Sequence, residues 1–237
     1  VQQLVINSNK GLLITLDGLD GCGKSTQAER LCMYCSANNI PFIHLAQPGS
    51  TLLSNEIRAF IKTNKMLNES RLLLLLTAWV DTFLQTVGPA LFEGKVVISE
   101  RGWSSFVAYQ GFGAGQIEWF NNSMFNLAYR AISKYNNIDL NECYLYLNKS
   151  HYERASLKDI ESDEIERTYS KSHQLIADGF SQFSDEYNIL SRLRRTKCYY
   201  KEIDCNELSF AAVTDNILHA LNSIDSRFEP LRFYQGT

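Results

Sequence analysis

The stretch Gly11-Leu12-Leu13-Ile14-Thr15-Leu16-Asp17-Gly18-Leu19-Asp20-Gly21-Cys22-Gly23-Lys24-Ser25-Thr26 decides how the rest of this 237-residue chain is read. It opens as an apolar run and continues as G-x-x-x-x-G-K-S from Gly18 to Ser25. A buried strand, a glycine turn and a helix in that order form a phosphate-binding loop. The glycines let backbone N–H groups approach phosphate oxygens with no Cβ in the way. A helix starting near Ser25 adds the positive end of its dipole. In such a loop Lys24 reaches the β- and γ-phosphates, and the Ser25 hydroxyl ligates Mg²⁺. Gly18, Gly21, Cys22, Gly23, Lys24, Ser25 and Thr26 are therefore the expected triphosphate-binding residues.

Working outward, bulk properties set limits. A chain of this length suits a single α/β domain over residues 1–237, and 45% hydrophobic residues suffice for a buried core. The net charge of −3 gives no sign of nucleic-acid binding. The one basic concentration, Arg192, Arg194, Arg195 and Lys197, reads as a solvated helix end. Leu72 to Leu76 is the longest apolar run, so no membrane partner is expected. The first residues lack a charged start and a small-residue cleavage site, and Val1 in place of Met is consistent with a trimmed chain. Six scattered cysteines form no dense disulfide framework, and Cys32-Met33-Tyr34-Cys35 falls within the helix after the loop. A reducing, cytoplasmic location is the expectation.

The periodicity predicts a helix from Ser25 to Asn38, a strand from Pro41 to Leu45, and a short helix from Asn55 to Thr63. A long helix follows from Glu69 to Phe92, bent at Gly88-Pro89. The third strand is Lys95 to Ser99, with helices over Ser104 to Gln110 and Ile117 to Ser133. Cys143 to Leu147 and Cys198 to Ile203 complete five strands, with a helix ending near Tyr187 between them and another from Ser209 to Ser223. Alternating strands and helices imply a parallel sheet covered on both faces, hence an α/β fold in three layers. Phe228, Leu231, Phe233 and Tyr234 give the tail reason to dock.

Several segments together resemble the thymidylate kinase family. These are Leu16 to Gly21; Gln47-Pro48-Gly49-Ser50-Thr51 with Glu56-Ile57-Arg58 behind it; Pro89-Ala90-Leu91; Val96 to Arg101; Ser104-Ser105; and Ala108-Tyr109-Gln110-Gly111. Asp163 to Glu166 is similar to the end of that family's lid, and Ile203-Asp204 to its segment near the adenine. The resemblance implies a P-loop NTPase fold with a short lid over about residues 155–166. It also implies ATP as donor, Mg²⁺, a nucleoside monophosphate acceptor and a homodimer paired through helices such as Glu69 to Phe92.

Residue by residue, the resemblance gives Lys24 and the loop amides the donor phosphates and Arg101 the acceptor phosphate. Glu100 either binds a magnesium-held water or orders the acceptor, and Asp20 contacts the sugar 3′-hydroxyl or magnesium. Arg58, Leu75, Trp79, Ser105, Phe106, Tyr109 and Gln110 fall at acceptor-side positions. Lys158 is the lid cation, with Arg154 and Arg167 near it in sequence.

Departures cluster on that acceptor side. Glu100 stands for the family's Asp, Gly102 for an aromatic or His, and Ala46-Gln47 where an Arg precedes Pro-Gly. Trp79 replaces a base-reading Arg, Leu75 a stacking Phe, and Phe106 a polar residue. Either the aromatics remake the pocket or they fill it. The first reading is ATP-dependent phosphorylation of a deoxynucleoside monophosphate, dTMP or a related pyrimidine nucleotide. The alternative is a catalytically weak homologue that binds nucleotide and acts through partners, and a third is a P-loop kinase for a non-nucleotide acceptor.

Overall fold

In the computed structural model, residues 10–120, 141–149, 172–194 and 197–229 are described. The predicted lid with Arg154, Lys158 and Arg167, the helix beyond residue 120, and Leu231, Phe233 and Tyr234 lie outside the described residues.

Strand β1 (Leu12–Asp17) is buried along its whole length, because its neighbours cover both edges and helices cover both faces. Five parallel strands run in the order β2-β3-β1-β4-β5. β2 is Phe42–Ala46, β3 Val96–Glu100, β4 Asn141–Asn148 and β5 Lys197–Asp204. Leu16 pairs with Glu100 on one side and with Leu145 on the other. The strand order reverses direction at β1, so a crevice opens beyond its carboxyl end, where the glycine loop lies.

Helix α1 (Lys24–Ala37) starts directly from that loop, and its buried face carries Ala28, Leu31 and Cys35 into the core. Burial pushes the Cys35 thiol up to about 12, which fits a packed helix rather than a redox pair. Helix α2 (Leu52–Thr63) begins with a reciprocal cap: Ser54 N–H donates to Thr51 Oγ1, and Thr51 N–H donates to Ser54 Oγ, both at 3.0 Å. Ile57 and Ile61 then pack it against helix α3 (Asn68–Thr82) through Leu72, Leu75 and Leu76.

The predicted bend at Gly88-Pro89 takes a different form. The helical stretch continues through a π-helical segment, Phe83–Val87, into helix α4 (Gly88–Phe92). Pro89 cannot donate a backbone hydrogen bond and its ring crowds the preceding turn, so the irregularity precedes the proline. Gly88 N–H accordingly reaches back to Phe83 O. The 25-residue stretch Asn68–Phe92 holds an 18-residue window of mean hydropathy 1.3, long and apolar enough to cross a membrane by length and composition alone, well beyond the five-leucine run. Leu72, Leu75, Leu76, Phe83, Val87 and Leu91 spend that apolarity on core packing.

Helix α5 (Trp103–Phe106) and a π-helical segment, Val107–Gly113, follow β3; helices α6 (His173–Arg194) and α7 (Phe210–Asn222) flank β5. The tail expectation holds for its described part. Phe228 is fully buried and stacks on Tyr34, with ring centres 5.8 Å apart. Arg227 donates to Gly94 O and Lys10 O, each at 3.0 Å, and forks onto the buried Asp225.

Candidate functional site

The glycine loop wraps the carboxyl end of β1. Gly18, Gly21 and Gly23 have φ of 143°, 81° and 100°. At Gly18 a Cβ would sit 2.6 Å from Leu147 O and 2.7 Å from Cys22 Sγ, so only glycine fits. Gly23 caps α1 in a left-handed conformation and supplies no side-chain bond, which leaves the first helical N–H groups facing the crevice. The Cys22 side chain is buried, so only its backbone is offered to a ligand. Lys24 Nζ lies within the loop, donating to Gly18 O at 2.9 Å and Leu19 O at 2.8 Å, with Asp20 Oδ1 at 3.5 Å. Burial lowers its pKa, and the neighbouring Arg101 charge adds to that; Asp20 and Asp17 oppose it.

Arg101 follows β3 with φ 67°, a left-handed conformation that is costly for a residue with a Cβ, by about 1–3 kcal/mol. That turn sends its guanidinium to Asp20, with which it makes a close ion pair. Tyr109 OH donates to Asp20 Oδ2 at 3.1 Å, and the Arg101 guanidinium lies 5.1 Å from the Tyr109 ring centre. Burial pushes the Asp20 carboxyl up, but Arg101 and Lys24 outweigh it and hold the carboxyl below its ordinary value. The Tyr109 hydroxyl is pushed up by burial despite Arg101.

Gly102 explains one departure from the family pattern. A Cβ there would come within 2.5 Å of Thr15 Cγ2 and 3.4 Å of Tyr144, so the aromatic or His of the family has no room. Asp17, at the end of β1, has a role that its neighbours in sequence do not announce. It is buried, and it accepts hydrogen bonds from Gly102 N–H at 3.2 Å and from the Ser104 and Ser105 hydroxyls. Burial raises its pKa more than those hydroxyls lower it. It therefore ties the end of β1 to the start of α5, and it commits the Ser105 hydroxyl that had been assigned to the acceptor.

Two clefts meet at this point. The first is lined by Gly21, Gly23, Lys24, Ser25, Thr26, Glu100 and Phe210. The second, with about 810 Å³ of open space, is lined by Lys62, Leu75, Trp79, Ser105, Phe106, Tyr109 and Gln110. Asp20, Gln47, Arg58 and Arg101 border both. Arg58 is aimed there by its bonds to Pro48 O at 3.1 Å and Ala46 O at 3.4 Å.

Charge thus gathers at the shared mouth, and Leu75, Trp79 and Phe106 make the far end of the second cleft apolar. Trp103 backs it, with ring centres 4.7 Å from Trp79 and 5.0 Å from Phe106. An anion fits the mouth and a flat apolar group the far end. The aromatics line this cleft without filling it. Every described residue assigned to donor or acceptor borders one of the two clefts, apart from Gly18 and Cys22, which shape the loop beneath. Phe210, Lys62 and Trp103 join the site from positions with no motif of their own.

The Ser25 hydroxyl donates to Glu100 Oε2, so two hard oxygen groups face the first cleft together. Among the described residues no group of three or more His, Cys, Asp and Glu could enclose a metal. That donor set fits Mg²⁺, which is ordinarily held by one or two protein oxygens plus phosphates and water.

The thymidylate kinase family model matches residues 16–203. The thymidylate kinase of Fervidobacterium nodosum is 33% identical over 147 residues, 60% of this chain and 75% of that protein. That of Symbiobacterium thermophilum is 30% identical over 172 residues, 71% of this chain and 78% of that protein. That of Neorickettsia sennetsu is 38% identical over 102 residues, 43% of this chain and 51% of that protein; with several such relatives the match spans about half their length. The crystal structure of thymidylate kinase from Ehrlichia chaffeensis superposes with a TM-score of 0.59 at 23% identity, over 90% of this chain and 99% of that one, which shows a shared fold.

Proposed function

Since the chain belongs to the thymidylate kinase family, we propose that it transfers the γ-phosphoryl group of ATP to a deoxynucleoside monophosphate, dTMP or a related pyrimidine nucleotide. The observation that carries this reading is the pair of clefts sharing Asp20, Arg58 and Arg101 at their common mouth. A donor phosphate on the loop and an acceptor phosphate on the two arginines then approach each other across that mouth.

Phosphoryl transfer asks for alignment and charge neutralisation more than for covalent chemistry. Loop amides and the α1 N-terminus hold the donor phosphates, and Lys24 exchanges its carbonyl partners for phosphate oxygens. Ser25 and Glu100 would hold Mg²⁺, which would supply positive charge against the donor phosphates. Arg101 presents a fork of donors that matches a phosphate, and Arg58 adds a second charge. Asp20 holds Arg101 in place and, with Tyr109, faces the sugar. Leu75, Trp79 and Phe106 take the base, by apolar contact and stacking rather than by a guanidinium.

We place the reaction in the cytoplasm and assign the protein a homodimer. The exposed Leu67, Leu73 and Phe92, in or next to the Asn68–Phe92 stretch, support pairing through those helices. The test of function is acceptor-dependent ADP release across a panel of deoxynucleoside monophosphates. Turnover confined to pyrimidine nucleotides is expected, and ATP binding without turnover of any acceptor sinks the reading.

A further inference from the structure

Glu100 ends β3, and both of its carboxylate oxygens are engaged by side chains from other elements. Oε2 accepts from Ser25 Oγ at the start of α1. Oε1 lies 2.9 Å from Nε2 of His44 on β2. An ionised carboxylate only accepts, so Nε2 carries the proton of this bond. The parallel register sets it up. Ala46 pairs with Glu100 and His44 with Ile98, so His44 sits two residues back on the same face of the sheet.

A histidine beside a carboxylate on an edge strand is ordinarily a surface pair that contributes little. What distinguishes this one is the partner of the other oxygen. Three side chains, His44, Glu100 and Ser25, form one line from the sheet edge to the donor cleft. Glu carries one methylene more than Asp and has one more rotatable bond. Its carboxylate therefore needs an outside partner to face Ser25 reproducibly.

We propose that His44 is a positioning residue for the Mg²⁺-binding face of the site. By holding Oε1, it fixes the Glu100 carboxylate so that Oε2 is presented beside the Ser25 hydroxyl. His44 touches neither nucleotide and acts through Glu100. The proposal rests on the kinase reading, and its test separates the two.

The experiment is calorimetric titration of ATP at a series of MgCl₂ concentrations, for wild type, His44→Ala and His44→Gln. His44→Ala should raise the Mg²⁺ concentration needed for half-maximal gain in ATP affinity about tenfold, the usual scale for losing a partner of a metal-facing group. ATP affinity without Mg²⁺ and the acceptor KM should stay at wild-type values. His44→Gln keeps an N–H donor at similar reach and should recover most of the loss. An unchanged Mg²⁺ requirement in His44→Ala overturns the proposal. So does an equal loss without Mg²⁺, or a glutamine variant as impaired as the alanine one, since both outcomes mean packing alone. Wild type that binds no ATP under any condition removes the kinase reading instead.

Discussion

The Arg101 guanidinium lies 5.1 Å from the centre of the Tyr109 ring, and both side chains converge on the Asp20 carboxylate. This arrangement holds a guanidinium at the mouth shared by two clefts. Arg101→Ala should lower kcat/KM for the acceptor by about 10²–10³-fold, the scale for losing one charge-stabilising donor. Arg101→Lys should recover little, because an ammonium lacks the fork. Steady-state kinetics with varied acceptor measures it; wild-type values in either variant would remove the role.

Lys24 acts on the other side of the mouth. Lys24→Ala should abolish transfer to a similar extent while acceptor binding, read by calorimetry without ATP, stays within a few-fold. Loss of acceptor binding as well would mean that Lys24 holds the loop together rather than the donor.

Trp79 is half-buried, packed on Trp103 at 4.7 Å and on Phe83 at 5.8 Å, and it borders the acceptor cleft. Trp79→Ala should raise the acceptor KM about tenfold and leave that for ATP unchanged. Trp79→Arg should shift preference among pyrimidine monophosphates. An unchanged ranking in both variants would assign Trp79 to the core alone.

The charge on Asp20 also enters stability. Its folded pKa lies below the ordinary value of 3.8, burial raising it and Arg101 and Lys24 lowering it further than that. A depressed carboxylate contributes stability that is present above the unfolded pKa and is lost as pH falls through the folded one. The stability gap between wild type and Asp20→Asn should therefore be full at pH 6 and shrink as pH falls below 3.8. Urea titrations at several pH values read it; a gap that widens in acid would reverse the sign argued here.

Asp17 carries a structural consequence. Asp17→Ala leaves the Gly102 N–H and two buried hydroxyls without their acceptor, at a cost of about 3 kcal/mol. Denaturant unfolding should show that loss, and a change under 1 kcal/mol would mean that water replaces the carboxylate.

The sequence made the donor side legible because its chemistry is local: strand, turn and helix lie within sixteen residues and each demands particular side chains. The acceptor cleft was legible only through resemblance, since Arg58, Trp79 and Arg101 come from three separate elements. Asp17 escaped because its partners lie 85 to 88 residues away and nothing in its neighbourhood announces them. His44 escaped for the same reason, its partner standing 56 residues on. The apolar run Cys143 to Leu147 predicts the fourth strand, but the strand starts at Asn141, whose polar side chain is buried at the sheet interior. A polar residue ends an apolar run in the sequence without ending the strand, because backbone pairing with β1 and β5 continues through it.

Phosphorus NMR of a mixture of ATP, MgCl₂, dTMP and the protein tests the central claim most directly. The β-phosphate resonance of dTDP should grow as the γ-phosphate of ATP declines in equal amount, and Arg101→Ala should suppress both. ATP that binds yet is never consumed, with dTMP and with the other pyrimidine monophosphates alike, would contradict the account.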